Sequence, residues 1–201
     1  MPASPVRSRN PRGEGGRLRE QLVQAAVEVL DEVGDASRVS VRAIARRAGV
    51  SPTALYLHFA DRDALVSAAV DAGFAAFNAT LMGAARTESD PFASLEVTSL
   101  AYLSFAEQQP ALYAVLFSTR RPRDTASRAF AAVDRGEGFA GLVGLLRGCD
   151  PALDAAEARE LAITIWSSLH GFAVLSTSRA GADWPPVQDF VRRLLAAHIP
   201  R

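Results

Sequence analysis

Lysine is absent from this chain: all 22 basic residues among its 201 are arginine. That uniformity fits a GC-rich coding bias, so arginine at any one position is not by itself a sign of function. Cysteine occurs once, as Cys149. One thiol excludes an intrachain disulfide and suits a reducing compartment, so a cytoplasmic protein is expected. Cys149 itself reads as a small core or helix-end residue, because a redox sensor needs basic neighbours that nothing here supplies. No signal-peptide pattern is visible, and charges interrupt the longest apolar helical stretches, so no membrane span is expected. Alternating runs of β-branched residues are missing, which argues against strands. The sequence has no glycine-rich phosphate loop, no paired Cys or His at metal spacing and no Gly-x-Ser-x-Gly elbow. His58, His170 and His198 are scattered. An enzyme, a bound metal and a cofactor are therefore not expected.

Net charge is zero, so the whole molecule has no overall attraction to a polyanion. The distribution of charge is less neutral. Residues 1–60 carry nine arginines against six acids, and the remainder carries thirteen against sixteen. A basic head on an acidic body suits a protein that points one end at nucleic acid. Apolar residues make up 49 %, enough for a sizeable core, and their spacing is helical throughout. The predicted fold class is all-α.

Residues 39–62, VSVRAIARRAGVSPTALYLHFADR, organise the rest. Val41, Ile44, Ala45 and Ala48 recur at helical spacing, with Ser40 placed as N-cap. Gly49 follows, where a helix-ending turn favours positive φ. Ser51 then caps a second short helix that Pro52 opens. Leu55 and Phe59 point inward in this reading, against Ile44 and Val50. Arg42, Arg46 and Arg47 leave the first helix outward, and Thr53, Ala54, Tyr56 and His58 leave the second. From Ala36 to Ala60 there are four arginines and no acid. A short exposed helix beside arginines, starting with small polar residues, fits the major groove. The same pattern also fits a plain helical corner with a solvated basic face.

The motif residues narrow this choice. Ile44-Ala45, Ala48-Gly49-Val50-Ser51, Leu55-Tyr56, His58-Phe59 and Asp61-Arg62-Asp63-Ala64-Leu65 resemble the helix-turn-helix of the TetR (tetracycline repressor) family of bacterial transcription regulators. The resemblance runs from about Gly16 to Val70. The family normally carries lysine where Arg62 stands; arginine keeps the charge, so a phosphate contact is expected there. The resemblance implies a homodimeric regulator, most simply a ligand-responsive repressor, with an activator as the alternative. Its two heads would lie about one DNA turn apart, roughly 34–36 Å, on a near-palindromic operator. Thr53 and Ala54 are the expected base-edge readers. Ser40, Arg42, Tyr56, His58 and Arg62 are expected at phosphates, with Ser51 and the backbone around Pro52.

The remaining organisation follows from helical periodicity and breakers. Residues 1–15 form a Pro/Ser/Gly/Arg-rich arm in which Arg7, Arg9 and Arg12 are either solvated or in passing contact with DNA. Residues 16–62 form the head, whose first helix, 16–33, has an apolar stripe from Leu18 to Val33 and ends at Gly34. Residues 63–86 belong to a connecting helix capped by Asp61, long enough to join head to body and act as a lever. Residues 87–201 form the body. Pro91 and Pro110 open two helices there. A polar loop follows at 118–124, then a predicted helix over 125–147. Glycines at 136, 138, 141 and 144 in that helix imply a kink, a break or close approach of a neighbour, since each costs about 1 kcal/mol against alanine. Asp154 and Glu157 have capping-box spacing and open a helix reaching about Arg179. Leu161, Ile165, Leu169, Phe172 and Leu175 mark one face of it. A last helix spans 187–198.

Trp166, His170 and Gly171 resemble a C-terminal subgroup of TetR-like regulators named for Trp, His and Gly. Trp166 and His170 share a helix face; His170 either is a satisfied core residue or bonds an effector, and Gly171 is expected to admit a neighbouring helix. The resemblance further implies that the last two helices pair with their copies in a second subunit; the sequence itself shows only apolar faces. An unidentified small-molecule effector would lie in the body. The candidate lining is Phe77, Tyr102, Phe105, Tyr113, Phe117, Trp166 and His170, residues that core packing alone would also explain. A helical small-molecule-binding dimer without operator binding remains the reading from a different class.

Overall fold

The computed structural model describes residues 14–118, 137–179 and 181–199. The arginines of the arm, most of the 118–124 loop, Gly136 and the predicted helical stretch 125–136 lie outside these residues. Among the described residues the fold is all-helical, as expected. The elements are α1 (Glu14–Val33), a 3-10 turn (Ala36–Arg38), α2 (Val41–Ala48), α3 (Pro52–Leu55) and α4 (Arg62–Ala85). There follow α5 (Pro91–Gln108), α6 (Pro110–Leu116), α7 (Glu137–Cys149), α8 (Ala155–Ser178) and α9 (Val187–His198).

Local chemistry sets most of these boundaries. Gly34 ends α1 at φ +66°, and its N–H reaches the Leu30 carbonyl at 2.8 Å. Ser40, Ser51, Asp61 and Asp90 each accept a backbone N–H from the helix they precede. Such caps satisfy donors that the helix cannot. Asp154 and Glu157 form the full reciprocal capping box.

One continuous core runs from head to body. Leu22, Leu30, Ile44, Leu55 and Leu65 are sealed in the head. Val66, Val70, Phe74, Phe77 and Leu81 of α4 carry the core onward. Gly73 lets α6 approach: a Cβ there would stand 3.0 Å from Leu116 Cδ2 and 3.4 Å from Leu112 Cδ1. The head has a second attachment. Asp31 of α1 accepts the Leu112 N–H at 3.0 Å, supplying an end cap that Gln109 does not give α6. Gly34 lies beside Ala111, where a Cβ would meet its methyl at 3.5 Å.

The glycines of α7 allow close approach. A Cβ on Gly138 would stand 2.5 Å from Asn78 Oδ1, and one on Gly141 would stand 3.3 Å from Met82 Sδ. On α8 the apolar face read from the sequence is only partly buried. Leu175 is 47 % exposed, because the buried stripe passes from Phe172 to Ala173 instead. A Cβ on Gly171 would meet nothing within 4 Å, so no helix of this chain's described residues closes on it. By length and hydropathy alone, α4 and α8 are long and apolar enough to cross a bilayer. For α4 the apolar content is accounted for by its core residues; α8 keeps an outward apolar side at Ile163, Val174 and Leu175.

Candidate functional site

The head presents a surface built by α2, α3 and the turn after α3. Ser40 Oγ accepts the Ala43 N–H at 3.1 Å, and Ser51 Oγ accepts the Ala54 N–H at 3.3 Å. Each cap uses an acceptor position, so each hydroxyl keeps its own O–H to donate. Ser51, Pro52 and Thr53 are exposed, while Ala54 and His58 are half-buried. Tyr56 is 55 % exposed and Leu57 80 %. Leu55 and Phe59, from the same five residues, are buried. One short segment thus anchors inward on two side chains and holds the rest away from the body.

The arginines divide into engaged and open ones. Arg47 turns back across α1 to the Glu28 carboxylate at 3.0 Å and to Glu32. Its hydrogen bond, with a smaller one from Gln24, holds the Glu28 carboxyl below its usual range. Arg19 lies over the Phe59 ring at 4.9 Å. Arg42 and Arg46 are exposed and make no ion pair among the described residues. Arg62, expected at a phosphate, is engaged within the protein. Its Nε donates to the Val39 carbonyl at 2.7 Å, its second guanidinium nitrogen to the Ala36 carbonyl, and the third to Asp63 at 2.5 Å. Sequence reasoning left Arg46 and Leu57 out of the candidate set. For both, the available signal was position on the outward side of the motif.

The body holds an apolar cavity of about 60 Å³. Six rings ring it: Phe74, Phe77, Tyr102, Phe117, Phe139 and Trp166. Asn78, Thr98 and Ser99 contribute the polar positions besides Tyr102. A wider groove of about 550 Å³ lies on the other side of Phe117 and is lined by Tyr113 and His170. Four of the seven expected lining residues therefore meet the inner cavity, and Phe117 borders both spaces. Phe105 borders neither: it is buried edge-on against Phe77 at 5.0 Å. Asn78 and Phe139 were missed; the glycine run of α7, which brings them together, was their only trace in the sequence.

Between the two spaces runs a hydrogen-bonded chain. Tyr102 and Tyr113 hydroxyls are 2.8 Å apart, and the Tyr113 hydroxyl lies 2.6 Å from His170 Nδ1. Burial pushes both phenols well above their ordinary range; for Tyr113 the neighbouring Tyr102 adds to the rise. Burial also lowers His170. All three groups are thus neutral near pH 7, and the partition carries hydrogen-bonding capacity without charge. At Cys149, burial first and Asp90 second push the thiol up, which leaves it protonated and unreactive. No cluster of three or more His, Cys, Asp or Glu side chains suited to a metal occurs among the described residues.

Residues 22–69 match the family model described as "Bacterial regulatory proteins, tetR family", and residues 95–198 match "Tetracyclin repressor-like, C-terminal domain". The nucleoid occlusion factor SlmA of Vibrio vulnificus is 26 % identical over 122 residues, 58 % of this chain and 62 % of that protein. The chain therefore aligns with less than two thirds of that relative's length. A protein of unknown function from Rhodococcus sp. RHA1 superposes with a TM-score of 0.72 at 26 % identity, over 94 % of this chain and 97 % of the other. A TetR-like transcriptional regulator from the same organism superposes with a TM-score of 0.67 at 21 % identity, over 92 % and 96 %. At that identity the second likeness concerns the fold alone.

Proposed function

Because this chain belongs to the TetR family of bacterial regulatory proteins, whose members are DNA-binding transcription regulators, we propose that it is a cytoplasmic, homodimeric repressor that reads a near-palindromic operator and releases it on binding a small molecule. The observation that carries this reading is the outward side of α3, with Thr53 and Tyr56 exposed beside the open Arg42 and Arg46. Thr53 and Ala54 contact base edges, their methyls suiting thymine. Ser40, Ser51, Tyr56, His58, Arg42 and Arg46 hold phosphates. Leu57 adds apolar contact at the same face.

The outward side of α8 supports a second copy as partner. Ile163, Gly171, Val174 and Leu175 share that side at helical spacing. Gly171 has open space above it, which suits close packing by a helix from the other subunit. The half-buried side of α9, with Phe190 and Leu194, extends the same seam. A Leu175→Arg protein should sediment as a monomer where the wild type is a dimer.

The cavity and groove beside Phe117 suit a mostly apolar effector with a hydrogen-bonding group facing Tyr102, Tyr113 or His170. The inner space of about 60 Å³ is smaller than an engineered cavity of roughly 150 Å³ that admits benzene. Effector binding therefore has to enlarge it, and that difference between two states supplies the coupling to the heads. Fluorescence anisotropy with the DNA upstream of the protein's own gene tests the reading. Saturable, sequence-selective binding by a dimer is the expected result. Dimers that bind no duplex selectively would favour a helical small-molecule-binding module instead.

A further inference from the structure

The segment that starts the reading unit has carbonyls that no helix uses. Ala36 belongs to the 3-10 turn, and Val39 lies between that turn and the Ser40 cap of α2. Ile44 and Ala43 donate to the Ser40 carbonyl and hydroxyl, so neither pairs with Val39. The Val39 side chain is buried at 2 % exposure. A carbonyl left without a donor beside a buried residue is costly. Both gaps are filled from one side chain. Arg62, the first residue of α4, donates from Nε to Val39 and from a terminal nitrogen to Ala36. A planar guanidinium has donors on two edges and spans two acceptors, whereas an ammonium is a single point.

We propose that Arg62 is a positioning residue that straps the start of α4 to the start of α2, so that the α2–α3 unit moves with α4. The proposal rests on the DNA-binding reading only for its consequence, since the strap is a property of the free protein. Three of the five guanidinium N–H groups are engaged within the protein, and the side chain is 29 % exposed. Asp63 pairs with the same group at 2.5 Å, placing a carboxylate where a phosphate would approach. Arg42 and Arg46, by contrast, stand open at the surface. The strap also completes a circuit. Ile44 of α2 and Leu55 of α3 are wholly buried in one core with Leu65 and Val66 of α4. That core fixes one side of the α2–α3 unit, and Arg62 fixes its leading end. A tilt of α4 is then transmitted to Thr53 and Tyr56 as a rotation of the unit rather than lost in a slack turn.

The test uses the full chain, with Arg62→Ala, Arg62→Lys and Arg46→Ala, on the duplex that wild type enriches from a random pool. Amide hydrogen exchange at Ala43 and Ile44 is read in the free proteins. Arg62→Ala should speed that exchange about tenfold through local opening and weaken duplex binding about tenfold, as loss of charge-assisted hydrogen bonds does. Its dependence of log K on log salt should keep the wild-type slope. Arg46→Ala should leave exchange unchanged and flatten the slope by about one. Arg62→Lys should fall between wild type and Arg62→Ala in exchange, since one ammonium reaches one carbonyl. A slope flattened by about one for Arg62→Ala, with exchange unchanged, would make Arg62 a phosphate contact and overturn the proposal. Unchanged exchange alone would overturn it as well. Should Arg62→Ala lose its helical circular dichroism, the same criteria apply to Arg62→Lys. If wild type enriches no duplex, the regulator reading fails, and the exchange comparison still decides the strap.

Discussion

In the head, hydroxyls and arginines stand at the surface; in the body, hydroxyls and an imidazole are turned inward around rings. Ser51, Thr53 and Tyr56 are exposed on a unit held by Ile44 and Leu55. Tyr102 and Tyr113, equally capable of hydrogen bonding, are 4 % exposed and bond to each other. The same kinds of group thus serve two tasks. An exposed group on a rigid short helix meets a large polar partner at little desolvation cost. A buried neutral group beside a cavity favours a small partner that can join its hydrogen bonds. The two regions are joined twice, by α4 and by the α1–α6 contact at Asp31, so a change in the cavity wall has two routes to the head.

The largest expected effect lies in the anchoring of the head's short helix. Leu55 is wholly buried, and Leu55→Ala should cost about 2–5 kcal/mol of stability. Chemical denaturation would measure this, and duplex binding should fall with the folded fraction. Should the loss be below about 1 kcal/mol, α3 is not anchored as described.

A smaller effect probes the junction. Asp31→Ala removes the acceptor that caps α6 at Leu112 and should cost about 1 kcal/mol. The α6 amides near Leu112 should exchange faster, while those of α2 keep their rate. Equal change at both would mean that head and body are one unit without a distinct joint.

The smallest effect lies in the body, at His170. The folded pKa of His170 lies below its ordinary value of 6.5 because of burial. Between those two values the unfolded chain binds more protons than the folded one, so stability rises with pH across that window. It is lost as pH falls through 6.5 towards the folded value. Lowering pH from about 7.5 to about 5.5 should therefore lower the melting temperature of wild type more than that of His170→Gln. Identical shifts would place the imidazole in water.

The head was legible from sequence because its determinants are local. Ser40 and Ser51 act on amides three residues away, Gly49 adopts φ +69° within its own turn, and the outward positions follow from a period of about 3.6 residues. The body's chemistry is not local. The Tyr113–His170 bond spans 57 residues and the Asp31–Leu112 cap 81. Periodicity marks Tyr102, Phe117 and Trp166 as inward but does not say which cavity they meet, or that Phe105 stops one layer short. Arg62 shows the limit within the head itself. Its charge suggested phosphate; besides the neighbouring Asp63, two of its partners are main-chain carbonyls, which every residue has and no sequence pattern marks. Leu175 shows the same limit, since periodicity puts it on a face with Phe172 but does not say how far that face is buried.

The outward side of α3 is the surface proposed to read a duplex. Selection from a random duplex pool by wild type, and by a Thr53→Ala, Tyr56→Ala double variant, tests it most directly. Wild type should enrich a near-palindrome with half-sites about one helical turn, roughly 10–10.5 base pairs, apart, and the double variant should lose that enrichment while remaining folded. The same palindrome enriched equally by both proteins would contradict the account.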